Sequence, residues 1–304
     1  MEPNILITNS CNQSCEFCFA KKEMKRPLKE RQMSFEKFVR VINKLQKISA
    51  SESIKIMGGE PTLHPEFRKI IRVALTKYRS VQLFTNGLFP SSTADFLKTA
   101  GKKMNVVFNA STPGFQTKKG VRDLMLTNIN KLAGHSHVVL SFTYGESSPD
   151  TLKQVPLDII RKVDSIRLGI SNPQTQFSQK IFKRLGATTF KYIKKIHAID
   201  KNKAVLLNCG FTPCMFDKQQ THYLLKNHIL QPKEWGCFGK DGAYDIGIDG
   251  KAFSCFVYSD NKEVINADTD KRLFLSKYLT KGKKAPRLCN KCAHFMKDCP
   301  GPCI

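Results

Sequence analysis

The sequence predicts an α/β protein in which a parallel sheet of successive βα units is followed by a small cysteine-rich domain. Short apolar runs alternate with helical patterns through the first two thirds of the 304 residues, and this alternation fails after about residue 189. The cysteines change in the same region. Three of the 11 lie within the first 18 residues, and eight lie between Cys209 and Cys303. We therefore expect a boundary near residue 205, with domains at 1–205 and 206–304.

Each predicted strand is a compact apolar run flanked by polar residues, glycine or proline. The six runs are residues 4–8, 53–57, 81–85, 105–109, 137–143 and 165–170. Strands that alternate with helices of ordinary length indicate a parallel sheet. Periodicity does not determine whether that sheet closes.

The clearest predicted helix follows Ser34, an N-cap candidate two residues before Glu36, and it carries apolar residues at helical spacing through residue 48. The other predicted helices are residues 65–76, 92–100, 121–132, 157–163 and 189–199. Beyond them, hairpin-like runs at 244–248 and 252–257 flank an Asp-Gly turn, and a basic linker follows at 281–287.

Composition excludes several classes of protein. Apolar residues make up 41% of the chain, too many for a disordered protein, and no run of 18 apolar residues predicts a membrane-spanning helix. The first 11 residues have no basic segment before a long apolar run, so they do not predict a secretory signal, and we expect a cytoplasmic protein. An odd number of cysteines in such a chain indicates metal or redox chemistry rather than a disulfide framework.

The chain is strongly basic, with 50 lysines and arginines against 25 acidic residues and a net charge of +25. This charge suits a nucleic acid, an anionic membrane surface or an acidic substrate, and a solvated face remains an alternative. The basic runs lack the interleaved aromatic residues of RNA-binding proteins. They lie at residues 21–31, 118–119, 191–195 and 281–287.

A cysteine loop follows the first predicted strand, with Cys11, Cys15 and Cys18 spaced as C-x3-C-x2-C. Such spacing lets one loop present three thiolates to a metal centre. A structural zinc site takes four protein ligands, whereas an iron-sulfur cube held by three cysteines leaves one iron free for an external ligand. The alternatives are a zinc site completed by a distant residue such as His64, and three merely structural cysteines.

A second motif, Gly58-Gly59-Glu60-Pro61, follows the second predicted strand. Two residues without side chains let a ligand approach the backbone, and the adjacent carboxylate can meet an ammonium group. Ligands of parallel α/β sheets bind at the carboxyl ends of the strands. A simple strand-ending turn is the alternative for this motif taken alone.

Together the two motifs resemble those of the radical S-adenosylmethionine (SAM) enzymes. The segment CNQSCEFC matches the family's CxxxCxxC motif, including an aromatic residue, Phe17, before the third cysteine. The segment GGEP matches the one that meets the methionyl amino group of SAM. The resemblance implies a partial (β/α)6 TIM-type barrel.

The same resemblance implies a set of site residues. Cys11, Cys15 and Cys18 would hold a [4Fe-4S] cluster whose free iron chelates SAM, with the cofactor-binding positions Phe17, Gly58, Gly59, Glu60 and Pro61. Asn86, which follows strand three, falls where the family has polar contacts around the cofactor. Asn109 or Ser111, at the end of strand four, falls where it contacts the ribose.

The last hundred residues resemble the SPASM and twitch auxiliary-cluster extensions of these enzymes. The ligand candidates there are Cys237, Cys255, Cys289, Cys292, Cys299 and Cys303, and the full SPASM pattern has one further cysteine after the last pair. Cys209 and Cys214 bring the number to eight, enough for two four-iron clusters. A single auxiliary cluster, with the remaining cysteines free, buried or bound to zinc, remains open.

The resemblance implies an enzyme that forms a 5′-deoxyadenosyl radical and abstracts a substrate hydrogen, with an electron donor such as flavodoxin or ferredoxin. Members with such extensions often modify ribosomally made peptides by cross-linking, epimerisation or oxidation. Strand one begins at about residue 4, which leaves no separate leader-recognition domain before it and weakens the peptide reading. The alternatives are a radical SAM epimerase or dehydrogenase of a carbohydrate or other small metabolite, and a zinc- or cluster-stapled nucleic-acid-binding protein.

Overall fold

One sheet of nine strands organises the part of the chain that the computed structural model describes: residues 2–18, 24, 27, 30–145, 150–171, 179–208, 211–230, 243–253, 265, 289, 292 and 293. The strands are β1 (Glu2–Thr8), β2 (Ser53–Gly58), β3 (Ser80–Thr85), β4 (Met104–Asn109), β5 (His137–Tyr144), β6 (Ser165–Ile170), β7 (Ala204–Leu207), β8 (Ala243–Ile246) and β9 (Ala252–Phe253). All six predicted strands are confirmed.

The strand order across the sheet is β7-β6-β5-β4-β3-β2-β1-β8-β9. Every neighbouring pair is parallel except β8 and β9, which form the predicted antiparallel hairpin. Strands β1 to β6 therefore lie side by side in chain order, as successive βα units require. The predicted parallel α/β fold is confirmed, and all six of these carboxyl ends meet at one edge of the sheet.

Helices connect these strands. They are α1 (Phe35–Ile48), α2 (Phe67–Lys77), α3 (Ser91–Lys98), α4 (Pro113–Thr117), α5 (Lys119–Leu132), α6 (Leu157–Lys162), α7 (Gln179–Ile199) and α8 (Lys218–Lys226). Ser34 caps α1 as predicted, because its side chain accepts the Lys37 N–H. No helix within the described residues is long and apolar enough to cross a membrane.

Burial alternates along the strands and distinguishes the two faces of the sheet. Ile5, Ile54 and Ile56 are fully buried in the core shared with helix residues such as Phe38. The neighbouring positions on the strands point to the opposite face, which we call the inner face. Many inner-face residues, such as Lys55, are only partly buried.

Two elements near the predicted boundary differ from the sequence expectations. Helix α7 begins ten residues before the predicted start at 189, and β7 adds a strand beside β6. Gly186 weakens the helical pattern, yet a Cβ there would lie 2.1 Å from the Met215 carbonyl oxygen, so the close packing of the next segment requires glycine. The boundary after residue 205 falls inside β7, and β8 pairs with β1, so the division at this position stays a prediction.

Helix α8 was also missed. Its first turn carries a capping box, in which the Asp217 side chain accepts the Gln220 N–H and the Gln220 side chain accepts the Asp217 N–H. This pair is a signal in the sequence that identifies the helix start. The apolar periodicity did not predict this helix because only one of its residues, Leu224, is buried.

Candidate functional site

The cysteine loop leaves the carboxyl end of β1, as predicted. Cys11, Cys15 and Cys18 are all partly buried. The Cys18 N–H donates to the Cys15 carbonyl at 3.1 Å, which closes a turn around the C-x2-C spacing. The Gln13 N–H lies 3.4 Å from the Cys11 sulfur and donates to it. One loop thus carries all three thiols at the edge of the sheet where ligands of parallel sheets bind.

The environment of Cys11 acts on its thiol in two directions. Burial raises the pKa of the Cys11 thiol above its ordinary value, and the nearby charges of Glu60 and Cys18 act in the same direction. The hydrogen bonds from the Gln13 N–H and the Asn86 side chain lower the pKa, because donors to sulfur stabilise the thiolate. The same two donors would stabilise the negative charge on the Cys11 sulfur when that sulfur binds a metal.

The glycine motif packs directly on the start of the cysteine loop. The Gly59 N–H donates to the Thr8 carbonyl at 2.8 Å, and the Glu60 N–H donates to the Ser10 carbonyl at 2.7 Å. A Cβ on Gly58 would lie 2.2 Å from the Thr8 oxygen, and one on Gly59 would lie 2.3 Å from the Ser10 oxygen. The glycines are therefore required by the approach of two backbone segments, rather than only by the ligand approach that the sequence predicted.

The Glu60 carboxylate points into the protein and is completely buried. Its Oε1 accepts the Thr62 hydroxyl at 2.7 Å and the Thr85 hydroxyl at 2.8 Å, and its Oε2 accepts the Asn86 N–H at 2.7 Å. Burial raises the pKa of this carboxyl, and the hydrogen bonds oppose that effect. The Glu60 carboxylate therefore joins its own turn to the end of β3, and the contact with an ammonium group stays a prediction.

Pro61 is buried and begins the short 3-10 turn Pro61–Leu63, whose Thr62 N–H is capped by Glu60 at 3.2 Å. Proline suits this position because it has no N–H to leave unpaired. Phe17 lies in the cysteine loop and is partly buried. The cofactor contacts predicted for these two residues stay predictions.

The turn after β3 connects Glu60 to the cysteine loop. Asn86 Nδ2 donates to Asn12 Oδ1 at 2.6 Å and lies 3.9 Å from the Cys11 sulfur. Gly87 has a φ of 75°, a left-handed conformation that glycine adopts without strain. Asn128 of α5 holds the turn from beneath by donating to the Gly87 and Phe89 carbonyls, both at 2.9 Å. Asn128 was not identified from the sequence, where a helical asparagine gives no specific signal.

The end of β4 lies beside the same loop. Gln13 Oε1 accepts the Gly114 N–H at 3.0 Å, which joins the cysteine loop to α4. Asn109 is partly buried and its Oδ1 accepts the Ser111 N–H at 3.0 Å. Ser111 is buried, and its Oγ accepts the Thr143 N–H of β5 at 2.7 Å. The structure therefore brings the predicted positions on β1 to β4 to one edge, although the ribose contact of Asn109 or Ser111 stays a prediction.

This convergence agrees with the comparison of the chain with known families. Residues 5–145 match the family model of the radical SAM superfamily. By this match, the segment 5–145 is a radical SAM domain. The matched residues span β1 to β5 and contain the cysteine loop, the GGEP turn, Asn86, Asn109 and Ser111.

Several individual proteins are similar to this chain. The sporulation killing factor maturation protein SkfB of Bacillus subtilis is 30% identical over 159 residues, which cover 49% of this chain and 37% of SkfB. The GTP 3′,8-cyclase of Aquifex aeolicus is 26% identical over 191 residues, covering 60% of this chain and 53% of the cyclase. The chain thus aligns with only about a third to a half of these relatives' length.

A solved structure shows the same fold over most of the chain. The crystal structure of Streptococcus suis SuiB bound to S-adenosylmethionine has a TM-score of 0.64 and 17% identity, and the match covers 96% of this chain and 70% of SuiB. SuiB has also been solved bound to its precursor peptide SuiA, and that structure has a TM-score of 0.61. At this identity the likeness establishes the fold.

The radical SAM family uses a [4Fe-4S] cluster with SAM, and the described residues fit such a group. The three thiols lie on one loop, with amide donors to the Cys11 sulfur from Gln13 and Asn86. Within the described ranges, no three His, Cys, Asp or Glu side chains are gathered closely enough to hold a single metal ion. A cluster makes no such demand, because each cysteine binds a different iron.

His64 does not complete a zinc site in the described structure. Its Nε2 lies 2.8 Å from the Met33 carbonyl, and its Nδ1 accepts the Glu66 N–H at 3.0 Å. Both ring nitrogens are therefore engaged by the backbone. Burial lowers the pKa of His64, which favours the neutral ring that these two hydrogen bonds require.

Of the predicted auxiliary-cluster ligands, the structure describes Cys214, Cys289 and Cys292. The Cys292 N–H donates to the Cys289 carbonyl at 3.1 Å, the same turn that joins Cys18 to Cys15. Cys214 is exposed in the 3-10 turn Pro213–Met215. The remaining candidates lie outside the described residues: Cys209, Cys237, Cys255, Cys299 and Cys303.

The basic run at residues 21–31 is described only at Met24, Pro27, Glu30 and Arg31. The last residue of the run, Arg31, lies beside the end of β1, where its carbonyl accepts the Asn9 N–H at 2.7 Å. The next residue, Gln32, forms an antiparallel bridge with Thr8. The run therefore ends at the same edge of the sheet from which the cysteine loop begins.

Proposed function

We propose that this chain is a radical SAM enzyme that modifies a ribosomally made peptide by cross-linking, epimerisation or oxidation. The observation that supports the radical chemistry is the joining of three loops at the strand ends. The cysteine loop, the GGEP turn and Asn86 are linked by hydrogen bonds of 2.6–2.8 Å through buried or partly buried groups. The segment that matches the radical SAM family model, residues 5–145, contains these three loops, which supports the proposal.

Cys11, Cys15 and Cys18 would hold the [4Fe-4S] cluster, and the GGEP turn, Phe17, Asn86 and Asn109 or Ser111 would contact SAM. When bound, the cluster and SAM supply one-electron cleavage of a carbon-sulfur bond and a carbon radical that takes a substrate hydrogen. The protein's own contribution is positional. Glu60 and Asn128 hold the turn after β3, and Gln13 holds the loop against α4. No side chain needs to act as a strong acid or base.

The peptide substrate is supported by the names of two similar proteins. SkfB is a maturation protein of a killing factor, and SuiB has been solved with a precursor peptide. The match to SuiB covers nearly the whole chain, including residues beyond β5. The match to GTP 3′,8-cyclases favours the alternative, a small-metabolite substrate.

The proposal includes three further expectations from the sequence. Residues 206–304 form an auxiliary domain that holds one or two additional [4Fe-4S] clusters. An electron donor such as flavodoxin or ferredoxin reduces the enzyme. The enzyme acts in the cytoplasm, where cysteine thiols stay reduced.

Anaerobic reconstitution tests the proposal. The reduced wild-type protein is expected to convert SAM to methionine and 5′-deoxyadenosine, whereas a C11A/C15A/C18A variant loses this activity and keeps its fold. Cleavage at the wild-type rate in the triple variant would refute the assignment. Mass spectrometry of a peptide encoded beside the gene, incubated with the enzyme in D2O so that epimerisation also adds a deuterium, then tests the substrate. If the peptide mass is unchanged while GTP or a sugar nucleotide is consumed, the small-metabolite alternative is correct.

A further inference from the structure

A buried asparagine supports the turn after β3 from the helical layer. Asn128 of α5 is 1% exposed, and its Nδ2 donates to the Gly87 carbonyl and to the Phe89 carbonyl, both at 2.9 Å. An amide nitrogen carries two hydrogens, so these bonds use both of its donors. One side chain therefore fixes two carbonyls of the same turn.

The turn itself is closed by three hydrogen bonds. The Asn86 N–H donates to Glu60 Oε2 at 2.7 Å, and the Gly87 N–H donates to Thr85 Oγ1 at 3.0 Å. The Leu88 N–H donates to Asn86 Oδ1 at 3.0 Å. Because Oδ1 and Nδ2 belong to one planar amide, the bond from Leu88 also fixes the direction in which the Nδ2 hydrogens point.

The oriented amide of Asn86 faces the cysteine loop. Its Nδ2 donates to Asn12 Oδ1 at 2.6 Å and to the Cys11 sulfur at 3.9 Å, a longer contact because sulfur is the larger acceptor. Asn12 Nδ2 lies 3.5 Å from the Leu88 carbonyl and donates to it, so the loop and the turn contact each other in both directions. The two hydrogens on Asn86 Nδ2 thus serve Asn12 and Cys11.

Hydrogen bonds to a cysteine sulfur affect the iron that the sulfur binds. Reduction adds one electron to an iron-sulfur cluster, and donors to the sulfurs stabilise the added negative charge, so such donors raise the reduction potential. Water that enters through a loosened turn would stabilise the same charge. The sign of a change in potential therefore distinguishes a lost donor, which lowers it, from wider access of water, which raises it.

We propose that Asn128 is a positioning residue that holds the Asn86 amide as a donor to the Cys11 sulfur and thereby raises the reduction potential of the cluster bound there. This inference rests on the proposed function, because it requires a cluster at Cys11, Cys15 and Cys18. Asn128 acts through the turn and touches neither the cysteines nor the cluster.

Redox titration of the reconstituted full-length chain tests the effect on potential. The cluster is followed by EPR spectroscopy without SAM, and the signal of the C11A/C15A/C18A variant is subtracted to remove any auxiliary clusters. At the midpoint potential of wild type, the ratio of reduced to oxidised cluster in N128A is expected to be about tenfold lower, a shift of about 59 mV for one electron. An unchanged or higher potential in N128A would overturn the proposal.

A matched control and a double variant separate positioning from a general loss of stability. Asn130 lies on the same helix, is exposed and accepts Lys162 Nζ at 2.9 Å, so N130A should keep the ratio within twofold of wild type. N86A should lower the potential as N128A does, and the N86A/N128A variant should fall no further, because Asn128 acts through Asn86. Additive shifts, or a wild-type potential in N86A, would contradict this.

If N128A does not fold, N128S takes its place, because serine keeps one donor for the turn. The ratio of reduced to oxidised cluster is then expected to fall about threefold. A ratio in N128S that stays within 1.5-fold of wild type would be as contrary as an unchanged N128A.

Hydrogen exchange on the same full-length samples tests the positioning directly. The N–H groups of residues 86–88 are expected to exchange at least tenfold faster in N128A than in wild type, and within twofold of wild type in N130A. Equal exchange in N128A and wild type would overturn the positioning. Equal iron in wild type and the C11A/C15A/C18A variant would instead refute the proposed function, whereas faster exchange in N128A would leave the positioning by Asn128 standing.

Discussion

The Glu60 carboxylate accepts the backbone N–H of Asn86 at 2.7 Å, and this single contact joins the turn after β2 to the turn after β3. The same Asn86 then donates from its side chain to Asn12 of the cysteine loop. The three motifs of the site are therefore connected in series through one fully buried carboxyl group. The cysteine loop is therefore held in part by Glu60, a residue that lies 42 positions beyond Cys18 in the sequence.

Replacing Glu60 by glutamine is expected to alter the pH dependence of stability. The folded pKa of Glu60 is raised above its ordinary value of 4.5, mainly by burial. Its contribution to stability is thus fully present below that value and declines as pH rises through the folded pKa. E60Q does not titrate, so urea titrations should show that the free energy of unfolding of wild type relative to E60Q falls as pH rises above 4.5.

The control for this experiment is E66Q, since Glu66 is a partly exposed neighbour paired with Lys69. E66Q is expected to keep the decline in stability that Glu60 causes, because this variant leaves Glu60 in place. Glutamine has one acceptor oxygen fewer, so E60Q also leaves a buried donor unpaired, at a cost of about 1–3 kcal/mol where Glu60 is protonated. A difference between wild type and E60Q that rises with pH would contradict the assigned direction of the pKa shift.

Replacing Gly59 by alanine is expected to separate the GGEP turn from the cysteine loop. The new methyl carbon would lie 2.3 Å from the Ser10 oxygen, a backbone atom that cannot rotate away. The expected loss in free energy of unfolding is about 1–3 kcal/mol, as for other overpacked sites. Chemical denaturation measures this loss, and the rate of SAM cleavage should fall with it.

Gly120 provides the matched control for the glycine substitution. It lies near the start of α5, and a Cβ there meets no atom within 4 Å. G120A should therefore stabilise the protein by about 0.5–1 kcal/mol, because alanine favours the helix. If G59A were as stable as G120A, the contact between Gly59 and Ser10 would not require glycine.

Iron analysis is expected to count the clusters. If all 11 cysteines are ligands, the reconstituted protein should hold about 12 irons and the C11A/C15A/C18A variant about 8. Values of about 8 and about 4 would indicate a single auxiliary cluster and leave Cys209 or Cys214 for another role, such as hydrogen-atom donation. Equal iron in both proteins would contradict the assignment of the first three cysteines.

Sequence reasoning predicted most of the first two thirds of the fold. Each strand has one buried face and a second face that is buried or partly buried. Each strand therefore appears in the sequence as an apolar run of about the strand's own length. The motifs of the site are also local, since C-x3-C-x2-C and GGEP are each contained in fewer than ten residues. The weaker predictions involved short or interrupted elements: β7 has four residues, and α7 contains a glycine that only its contact with Met215 explains.

The sequence by itself therefore determined the order of βα units, the positions of the cysteines and the family chemistry that their spacing indicates. Only the tertiary structure decided that Glu60 points inward to Asn86, that Gln13 contacts α4, and that Arg167 lies over Phe84. Each of these contacts joins residues at least 26 positions apart in the sequence. Periodicity and spacing report on neighbours within one element, whereas such contacts depend on how the parallel sheet brings the ends and faces of separate strands together.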